Sequence, residues 1–217
     1  MHVLKLYTYF RSSASYRVRI ALNLKGLAYE AVPVHLVRDG GQQHSAAFTA
    51  LNPVELVPVL VDGNTTLSQS LGIIEYLEET RPEPTLLPKD AAGRARVRAI
   101  AQTIACEIHP LDNLRVLRYL ELQLGVDAGA RTTWYRHWVE LGFAAIERML
   151  VEDAATGRFC HGDTPTLADC CLVPQLFNAE RFGVQLEPYP TIRRIGEACR
   201  GLTPFQRAAP QAQPDAE

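Results

Sequence analysis

Three serines, Ser12, Ser13 and Ser15, stand where a strand pattern gives way to a helix pattern. Alternating apolar residues at 3–7 predict the strand, and the apolar spacing after the serines predicts a helix that stops at Gly26. A helix start has unpaired backbone N–H groups and partial positive charge, so a hydroxyl there helps to hold an anion. If the anion is a thiolate, its pKa falls and it becomes a nucleophile at neutral pH. The simpler interpretation is that a serine only caps the helix.

The elements expected around these serines form two domains. Residues 1–82 alternate strand and helix patterns as β-α-β and then β-β-α, which predicts a parallel strand pair followed by a hairpin with a helix. Residues 83–90 form a Pro-rich linker. Residues 91–217 carry only helical patterns, with a break near Pro110 and an Ala/Pro/Gln-rich end that we expect to fray from Ala208. The fold class is therefore an α/β domain followed by an all-α domain.

Four polar residues receive structural interpretations. Thr166 and Asp169 have the spacing of a capping box at the start of a helix, worth about 1 kcal/mol of helix stability. Arg17 and Arg19 lie beyond the start of the first helix, and we expect both to serve the fold rather than the chemistry.

Composition excludes several classes of protein. The 217 residues are 47% hydrophobic and 21% charged, as in ordinary globular proteins, and Lys plus Arg number 22 against 24 Asp plus Glu. A net charge of −2 does not attract nucleic acid or an anionic membrane. No apolar run approaches the roughly 18 residues of a membrane helix, and the N-terminus lacks a signal-peptide pattern. The five cysteines show neither C-x-x-C nor zinc spacing, which predicts reduced thiols, no metal site and a cytoplasmic location.

Motifs along essentially the whole chain resemble the glutathione S-transferase superfamily, most specifically its zeta class. Residues 12–22 read SSASYRVRIAL, against SSCSWRVRIAL in the class signature. Further matching segments are DGGQQ at 39–43, LNP at 51–53, QS at 69–70, IEYLEE at 74–79, AERF at 179–182 and PYP at 188–190. The class consists of glutathione-dependent cis–trans isomerases of maleyl dicarboxylates. The resemblance implies a thioredoxin-like N-terminal domain, an all-α C-terminal domain and a homodimer.

The resemblance also implies a glutathione site in the first domain. Val57 binds the cysteinyl unit through its backbone, with Pro58 in cis, and Gln43 reaches toward the glycine end. Gln69 and Ser70 hold the γ-glutamyl carboxylate at a helix start. Ser12 stabilises the thiolate and Ser13 supports it. Two simpler interpretations stay open, namely that Ser70 is a helix cap and Gln43 an exposed loop amide.

The substrate implied is a dianion, which calls for cations. We expect Arg11 and Arg181 to face a cleft between the domains and to bind one carboxylate each, since the planar guanidinium pairs both oxygens. Arg115 is a further substrate ligand. His109 and Asn113 are four residues apart, so we expect them to share a helix face and to contact glutathione or substrate. Alternatives are an ion pair that anchors Arg11 and a satisfied interface histidine at position 109.

Two departures from the signature bear on the reaction. The class cysteine is Ala14 here and its tryptophan is Tyr16. Loss of that thiol counts against reductive dehalogenation, which needs it to resolve a mixed disulfide. Isomerisation needs only the glutathione thiolate, which adds to the cis double bond, lets the bond rotate and is eliminated.

Three functions remain as alternatives at this point. The first is the isomerase, acting on maleylacetoacetate in aromatic amino-acid catabolism or on maleylpyruvate in gentisate catabolism. The second is another glutathione transferase that acts on haloacids or other electrophiles. The third is a binding module without activity, which has less need of Ser12 and Ser13.

Overall fold

The computed structural model describes residues 3–217, which divide into two compact units. One unit contains the chain up to Leu86 together with Gly201–Glu217, and the other contains Leu87–Arg200. The first break falls inside the Pro-rich linker predicted at 83–90. The last residues differ from expectation, because they join the first unit instead of the helical one. Met1 and His2, part of the N-terminus inspected for a signal peptide, lie outside the described residues.

The first unit is built on a four-stranded sheet in the order β2-β1-β3-β4. Its strands are β1 (Leu4–Thr8), β2 (Tyr29–Pro33), β3 (Val59–Asp62) and β4 (Thr65–Ser68). Strand β1 pairs in parallel with β2 and antiparallel with β3, and β3 pairs antiparallel with β4. Its helices include α1 (Ser13–Leu24), α2 (Ala46–Leu51) and α3 (Ser70–Thr80). The predicted order of a parallel pair and then a hairpin with a helix is confirmed.

Helix α1 is buried on nearly every side, whereas the sequence predicted a single apolar face. The reason is α9 (Thr203–Ala208), which packs along it. Arg19 Nε donates to the Ala208 carbonyl at 3.0 Å, and Asn23 Nδ2 donates to the Pro204 carbonyl at 2.9 Å. These contacts explain why the end of the chain belongs to the first unit.

Arg19 holds the backbone that leads into the serine turn. Its wholly buried guanidinium donates to Thr8 Oγ1 at 2.9 Å, to the Tyr9 carbonyl at 3.2 Å and to the Phe10 carbonyl at 2.9 Å. Burial lowers the pKa of Arg19 to about 10, so the side chain still carries its charge at neutral pH. The predicted structural role of Arg19 is confirmed.

Replacing Arg19 with methionine should therefore destabilise the protein strongly. Three buried acceptors, on Thr8, Phe10 and Ala208, lose the donor shown here, while the Tyr9 carbonyl keeps the Ser12 N–H. Unsatisfied buried groups cost about 1–3 kcal/mol each, so we expect a loss of at least about 3 kcal/mol. Urea unfolding followed by circular dichroism measures it. Arg193→Met, an exposed site on a helix, is the matched control and should change stability by less than about 0.5 kcal/mol. Equal unfolding midpoints for the two variants would contradict this role.

The prediction that residues from Ala208 onward fray is wrong. Gln213 is buried, and its Nε2 donates to the carbonyls of Arg207 and Ala209, both at 2.9 Å. Asp215 Oδ2 accepts from the Phe10 N–H at 3.0 Å. A polar, proline-containing tail can thus be ordered when its few hydrogen-bonding groups find partners in another segment.

The second unit contains only helices. They are α4 (Ala91–Gln102), a π-helical turn (Thr103–Ile108), α5 (Leu114–Leu122), α6 (Ala128–Val151), α7 (Leu167–Arg181) and α8 (Pro190–Arg200). The predicted break near Pro110 is confirmed by the gap between the π-helical turn and α5. Within residues 3–217, none of the helices has the length and apolar character needed to cross a membrane.

The predicted capping box at the start of α7 is present. Asp169 is wholly buried and accepts from the Thr166 N–H and hydroxyl, each at 2.8 Å. It also accepts from the Cys160 N–H at 2.9 Å. Asp169 therefore ties the preceding loop to the helix in addition to capping it.

Candidate functional site

Ser12 is the N-cap of α1, and its position allows both roles considered for it. Its Oγ accepts from the Ser15 N–H at 3.2 Å, which is a capping bond. A hydroxyl has one hydrogen and two lone pairs, so a capping bond to one lone pair leaves the hydrogen able to donate. The side chain is half-buried, and thus still reaches solvent. Ser12 can cap the helix and stabilise an anion at the same time.

The next serines are more enclosed. Ser13 is the first residue of α1 and is 5% exposed. Ser15 is wholly buried, and nothing in residues 3–217 hydrogen-bonds its Oγ. The turn therefore presents hydroxyl groups at successive depths beside the unpaired N–H groups of the helix start.

Arg11 is held by aromatic groups. Its Nη2 donates to the Tyr9 hydroxyl at 2.9 Å, and its Cζ lies 4.9 Å from the centre of the Phe10 ring. In the part of the chain that the structure describes, no carboxylate forms a salt bridge with Arg11, so the alternative of an anchoring ion pair is not observed. A half-buried guanidinium whose partners are neutral can pair with an anion.

Val57 lies against the serine turn. A buried apolar cluster joins Tyr9 and Phe10, which precede the turn, to Val57 and Val59. The Val57–Pro58 peptide bond is cis, as the resemblance implied. Strand β3 begins two residues later, so the backbone of Val57 lies just before the start of this strand and next to the turn.

The start of α3 combines a strained residue with a buried cation. Gln69, its N-cap, has a φ of 68°, a left-handed conformation that costs about 1–2 kcal/mol outside glycine. Among the described residues 3–217, no side chain caps this helix start with a hydrogen bond. Ser70 is buried, and its Oγ accepts from Arg17 Nη1 at 3.3 Å. A guanidinium therefore lies next to the start of α3, and its positive charge favours a carboxylate at this helix start.

Arg17 was expected to be structural, and sequence patterns missed its contact with Ser70. It lies one helical turn beyond Ser13 in α1, so its bond to Ser70 places the starts of α1 and α3 side by side. The sequence shows that Arg17 lies one helical turn beyond Ser13. It does not show that Arg17 contacts Ser70, which lies 53 residues further along the chain.

Gln43 is buried at 6% exposure, which excludes the exposed loop amide considered for it. Its Nε2 lies 3.0 Å from His44 Nε2. Within residues 3–217, no group donates to its buried Oε1. An unsatisfied buried amide oxygen needs a donor, and a peptide N–H is a suitable one.

These groups fit a small anionic peptide thiol. The start of α3 with Arg17 suits a carboxylate, the Gln43 oxygen suits an N–H, and the serine hydroxyls at α1 suit a thiolate. Glutathione contains each of these groups. The first unit therefore carries groups of the kinds that glutathione needs, and the role of each residue stays a prediction.

The expected shared helix face of His109 and Asn113 is wrong. The π-helical turn ends at Ile108, and α5 begins at Leu114, so the two residues lie in the connection between them. Asn113 is the N-cap of α5 and accepts from the Arg115 N–H at 3.1 Å. Pro110 and this cap divide what the sequence suggested was one face. His109 is half-buried and Arg115 exposed.

Arg181 is the last residue of α7 and is exposed. Its Cζ lies 4.9 Å from the centre of the Phe182 ring, and that ring stacks on Tyr135 of α6 with 3.6 Å between centroids. Burial raises the pKa of the Tyr135 phenol, the Asp112 carboxylate raises it further, and Arg181 lowers it. Arg181 and Asp112 therefore both lie within electrostatic range of the Tyr135 hydroxyl.

The predicted site residues divide between the two units. Arg11, Ser12, Ser13, Gln43, Val57, Pro58, Gln69 and Ser70 belong to the first, and His109, Asn113, Arg115 and Arg181 belong to the second. Contacts join the turn to Val57 and to Ser70 within the first unit. The expectation that Arg11 and Arg181 face one cleft stays a prediction.

Comparison with known proteins agrees with this arrangement. Two family models match, "Glutathione S-transferase, N-terminal domain" over residues 6–85 and "Glutathione S-transferase, C-terminal domain" over residues 132–201. A probable maleylacetoacetate isomerase of Vibrio cholerae serotype O1 is 53% identical over 216 residues, which is 100% of each chain.

Two solved structures are similar over nearly their whole length. The holo structure of a zeta-class bacterial maleylpyruvate isomerase has a TM-score of 0.95 at 52% identity, covering 98% of this chain and 100% of that one. A maleylacetoacetate isomerase from Methylobacterium extorquens AM1, solved with malonate and glutathione bound, has a TM-score of 0.94 at 43% identity, covering 98% and 99%. The chain belongs to the glutathione S-transferase superfamily and, within it, to the zeta-class family of maleylacetoacetate and maleylpyruvate isomerases.

Proposed function

We propose that this protein is a glutathione-dependent cis–trans isomerase that converts a maleyl dicarboxylate into its fumaryl isomer. The observation that carries the proposal is the serine turn, where a half-buried hydroxyl at the start of α1 stands beside a guanidinium with neutral partners. A thiolate and a diacid are the two anions that such a turn suits. Identity near 50% to isomerases over the full length supports the same reaction.

In this proposal the first unit binds glutathione. The start of α3 with Ser70 and Gln69 holds the γ-glutamyl carboxylate, Val57 binds the cysteinyl backbone, and Gln43 accepts an N–H toward the glycine end. When bound, glutathione supplies the thiolate that adds reversibly to the cis double bond and so permits rotation. Ser12 donates to that sulfur and holds it ionised, with Ser13 beside it.

The arginines orient the diacid. Arg11 binds one carboxylate next to the thiolate, and Arg181, with Arg115, binds the other. Charge develops on the substrate as the thiolate adds, and guanidinium groups fixed beforehand stabilise it without reorganisation. Because the turn carries Ala14 instead of cysteine, it offers no second thiol beside the one that glutathione would supply.

The preferred substrate is maleylacetoacetate, and the alternative is maleylpyruvate. Both relatives match equally well, at 53% and 52% identity. The two substrates share the maleyl end that the arginines bind, so the residues that distinguish them must contact the rest of the molecule.

Glutathione-dependent turnover tests the proposal directly. Purified protein is mixed with glutathione and either maleylacetoacetate or maleylpyruvate, and loss of the cis isomer is followed by absorbance. We expect turnover with glutathione and none with S-methylglutathione, which binds without an ionisable thiol. The ratio of kcat/KM between the two substrates decides the physiological one. Conjugation of haloacids without any isomerisation would contradict the proposal and favour the general transferase.

We also propose a cytoplasmic homodimer. All five cysteines are free thiols, which suits a reducing compartment. The dimer rests on the family resemblance, and light scattering after gel filtration tests it by mass.

A further inference from the structure

Glu55 has a backbone conformation that suits glycine better than glutamate. Its φ is 59°, and within residues 3–217 only two other non-glycine residues, Asp39 and Gln69, have a positive φ. A side chain in this left-handed region crowds the backbone, whereas glycine adopts it freely. A strained residue persists where contacts around it hold it in place, and such residues cluster at ligand sites. The contacts of the Glu55 side chain therefore bear on its role.

The carboxylate of Glu55 joins two segments of the first unit. Its Oε2 lies 2.7 Å from His44 Nδ1, and its Oε1 accepts from the Thr49 hydroxyl at 3.2 Å. On the other side of the imidazole ring, His44 Nε2 lies 3.0 Å from Gln43 Nε2. An amide nitrogen only donates, so His44 Nε2 accepts this bond and Nδ1 carries the hydrogen that Glu55 receives. Hydrogen bonds thus run without a gap from Gln43 through His44 to Glu55.

A tight turn after α2 connects Glu55 to Val57. Asn52 is buried, and its Nδ2 donates to the Leu56 carbonyl at 2.7 Å while its Oδ1 accepts from the Val54 N–H at 3.1 Å. The Glu55 N–H donates to the Asn52 carbonyl at 3.0 Å. Because these bonds fix the turn from both of its ends, the position of Glu55 determines that of Val57, two residues later.

We propose that Glu55 and His44 are positioning residues of the glutathione site, whose hydrogen bond fixes the distance between the segment that carries Gln43 and the segment that carries Val57. The inference rests on the proposed function and deepens it. Gln43 is expected to face the glycine end of glutathione and Val57 the cysteinyl unit, so one tripeptide must contact both segments at once. Segments that already stand at the right distance lose less conformational entropy when the ligand binds.

This bridge between Glu55 and His44 should affect binding more than stability. The side chains of His44 and Glu55 are 51% and 37% exposed, and surface pairs of this kind contribute little to the stability of the fold. Glu55→Gly removes the bridge and also the left-handed strain. We therefore expect it to unfold in urea at a midpoint at least as high as that of the wild type, yet to bind glutathione about fivefold more weakly.

Calorimetry with S-methylglutathione measures this affinity without any reaction. Glu55→Gln keeps an oxygen that accepts from His44 Nδ1, so it should recover most of the affinity that Glu55→Gly loses. Asp39→Gly is the matched control for the backbone, because it replaces another left-handed residue, which is exposed and outside the bridge, with glycine. It should change the affinity by less than about twofold.

His44→Ala breaks the bridge from its other side, at an exposed site, and keeps the test valid if Glu55→Gly does not fold. Because both changes remove one interaction, the double variant should bind no more weakly than His44→Ala alone.

The inference would be overturned by additive losses in the double variant, by wild-type affinity in Glu55→Gly or His44→Ala, or by an equal loss in Asp39→Gly. Absence of S-methylglutathione binding to the wild type would overturn it as well. Failure of the proposed function shows differently, as absence of glutathione-dependent isomerisation in a protein whose binding of S-methylglutathione still depends on the bridge.

Discussion

Ser12→Ala is expected to lower kcat/KM for the maleyl substrate by about 10² to 10³-fold, the usual cost of removing one donor that stabilises charge in a transition state. The capping bond from the Ser15 N–H does not use the hydroxyl hydrogen of Ser12. Removing the hydroxyl therefore takes away the hydrogen bond to the thiolate. The pKa of bound glutathione should rise toward that of the free thiol. Absorbance of the thiolate near 240 nm, followed against pH, measures this shift independently of turnover.

Ser12→Gly separates the chemical role from the capping role. Alanine at an N-cap costs about 1 kcal/mol of stability, whereas glycine costs only a few tenths. If Ser12 acts on the thiolate, both variants lose activity alike although only alanine destabilises the helix. Ser12→Thr keeps the hydroxyl and should retain most activity. Activity that follows stability, with glycine close to wild type, would show that Ser12 is only a cap.

Local patterns predicted most of the fold because each element carries its own signal. The alternation in β1, the glycine stop of α1 and the capping box of α7 depend on neighbours within a few residues. The end of the chain was mispredicted because its order comes from remote partners. Asp215 meets the backbone of Phe10, 205 residues away, and α9 covers α1. Composition alone describes such a tail as frayed.

The site shows the same division between local and remote information. The serine turn, Gln69 and Ser70 were predicted because helix starts and a specific family signature mark them. The contact of Arg17 with Ser70 was not predicted, since the sequence does not show which helical arginine is buried or which residue it contacts. The burial of the Asp112 carboxyl without a hydrogen-bond partner was also missed, because no spacing of residues encodes it.

For His109 and Asn113, the predicted helix break is correct, but the predicted shared helix face is wrong. The sequence indicated a bend near Pro110, yet the spacing of four residues was read as one continuous helix face. In the structure the chain leaves a π-helical turn and restarts at the Asn113 cap. Regions where helix geometry changes often occur at functional sites, and this one carries His109, Asp112 and Asn113.

Arg181→Ala is expected to lower kcat/KM for the diacid by about 10²-fold or more, because a charge-assisted bond to a carboxylate contributes about 1.5–3 kcal/mol and a guanidinium can form two. Arg181 is exposed at the end of α7, so we expect the change to cost little stability. Conjugation of glutathione to a neutral electrophile such as 1-chloro-2,4-dinitrobenzene should change less than about threefold, because such a substrate has no carboxylate to pair. The ratio of the two activities in one preparation is the measurement.

Arg181→Lys keeps the positive charge but loses the planar guanidinium that pairs with both carboxylate oxygens. It should therefore keep only part of the diacid activity that Arg181→Ala loses. Arg193→Ala, on the exposed face of α8, controls for the loss of one positive charge and should leave both activities unchanged. If Arg181→Ala slows both substrates equally, the residue supports the fold or the cofactor and does not select a diacid. If it slows neither, the second carboxylate is bound elsewhere, and Arg115 becomes the residue to replace, because it is the other cation expected to bind the diacid in the helical unit.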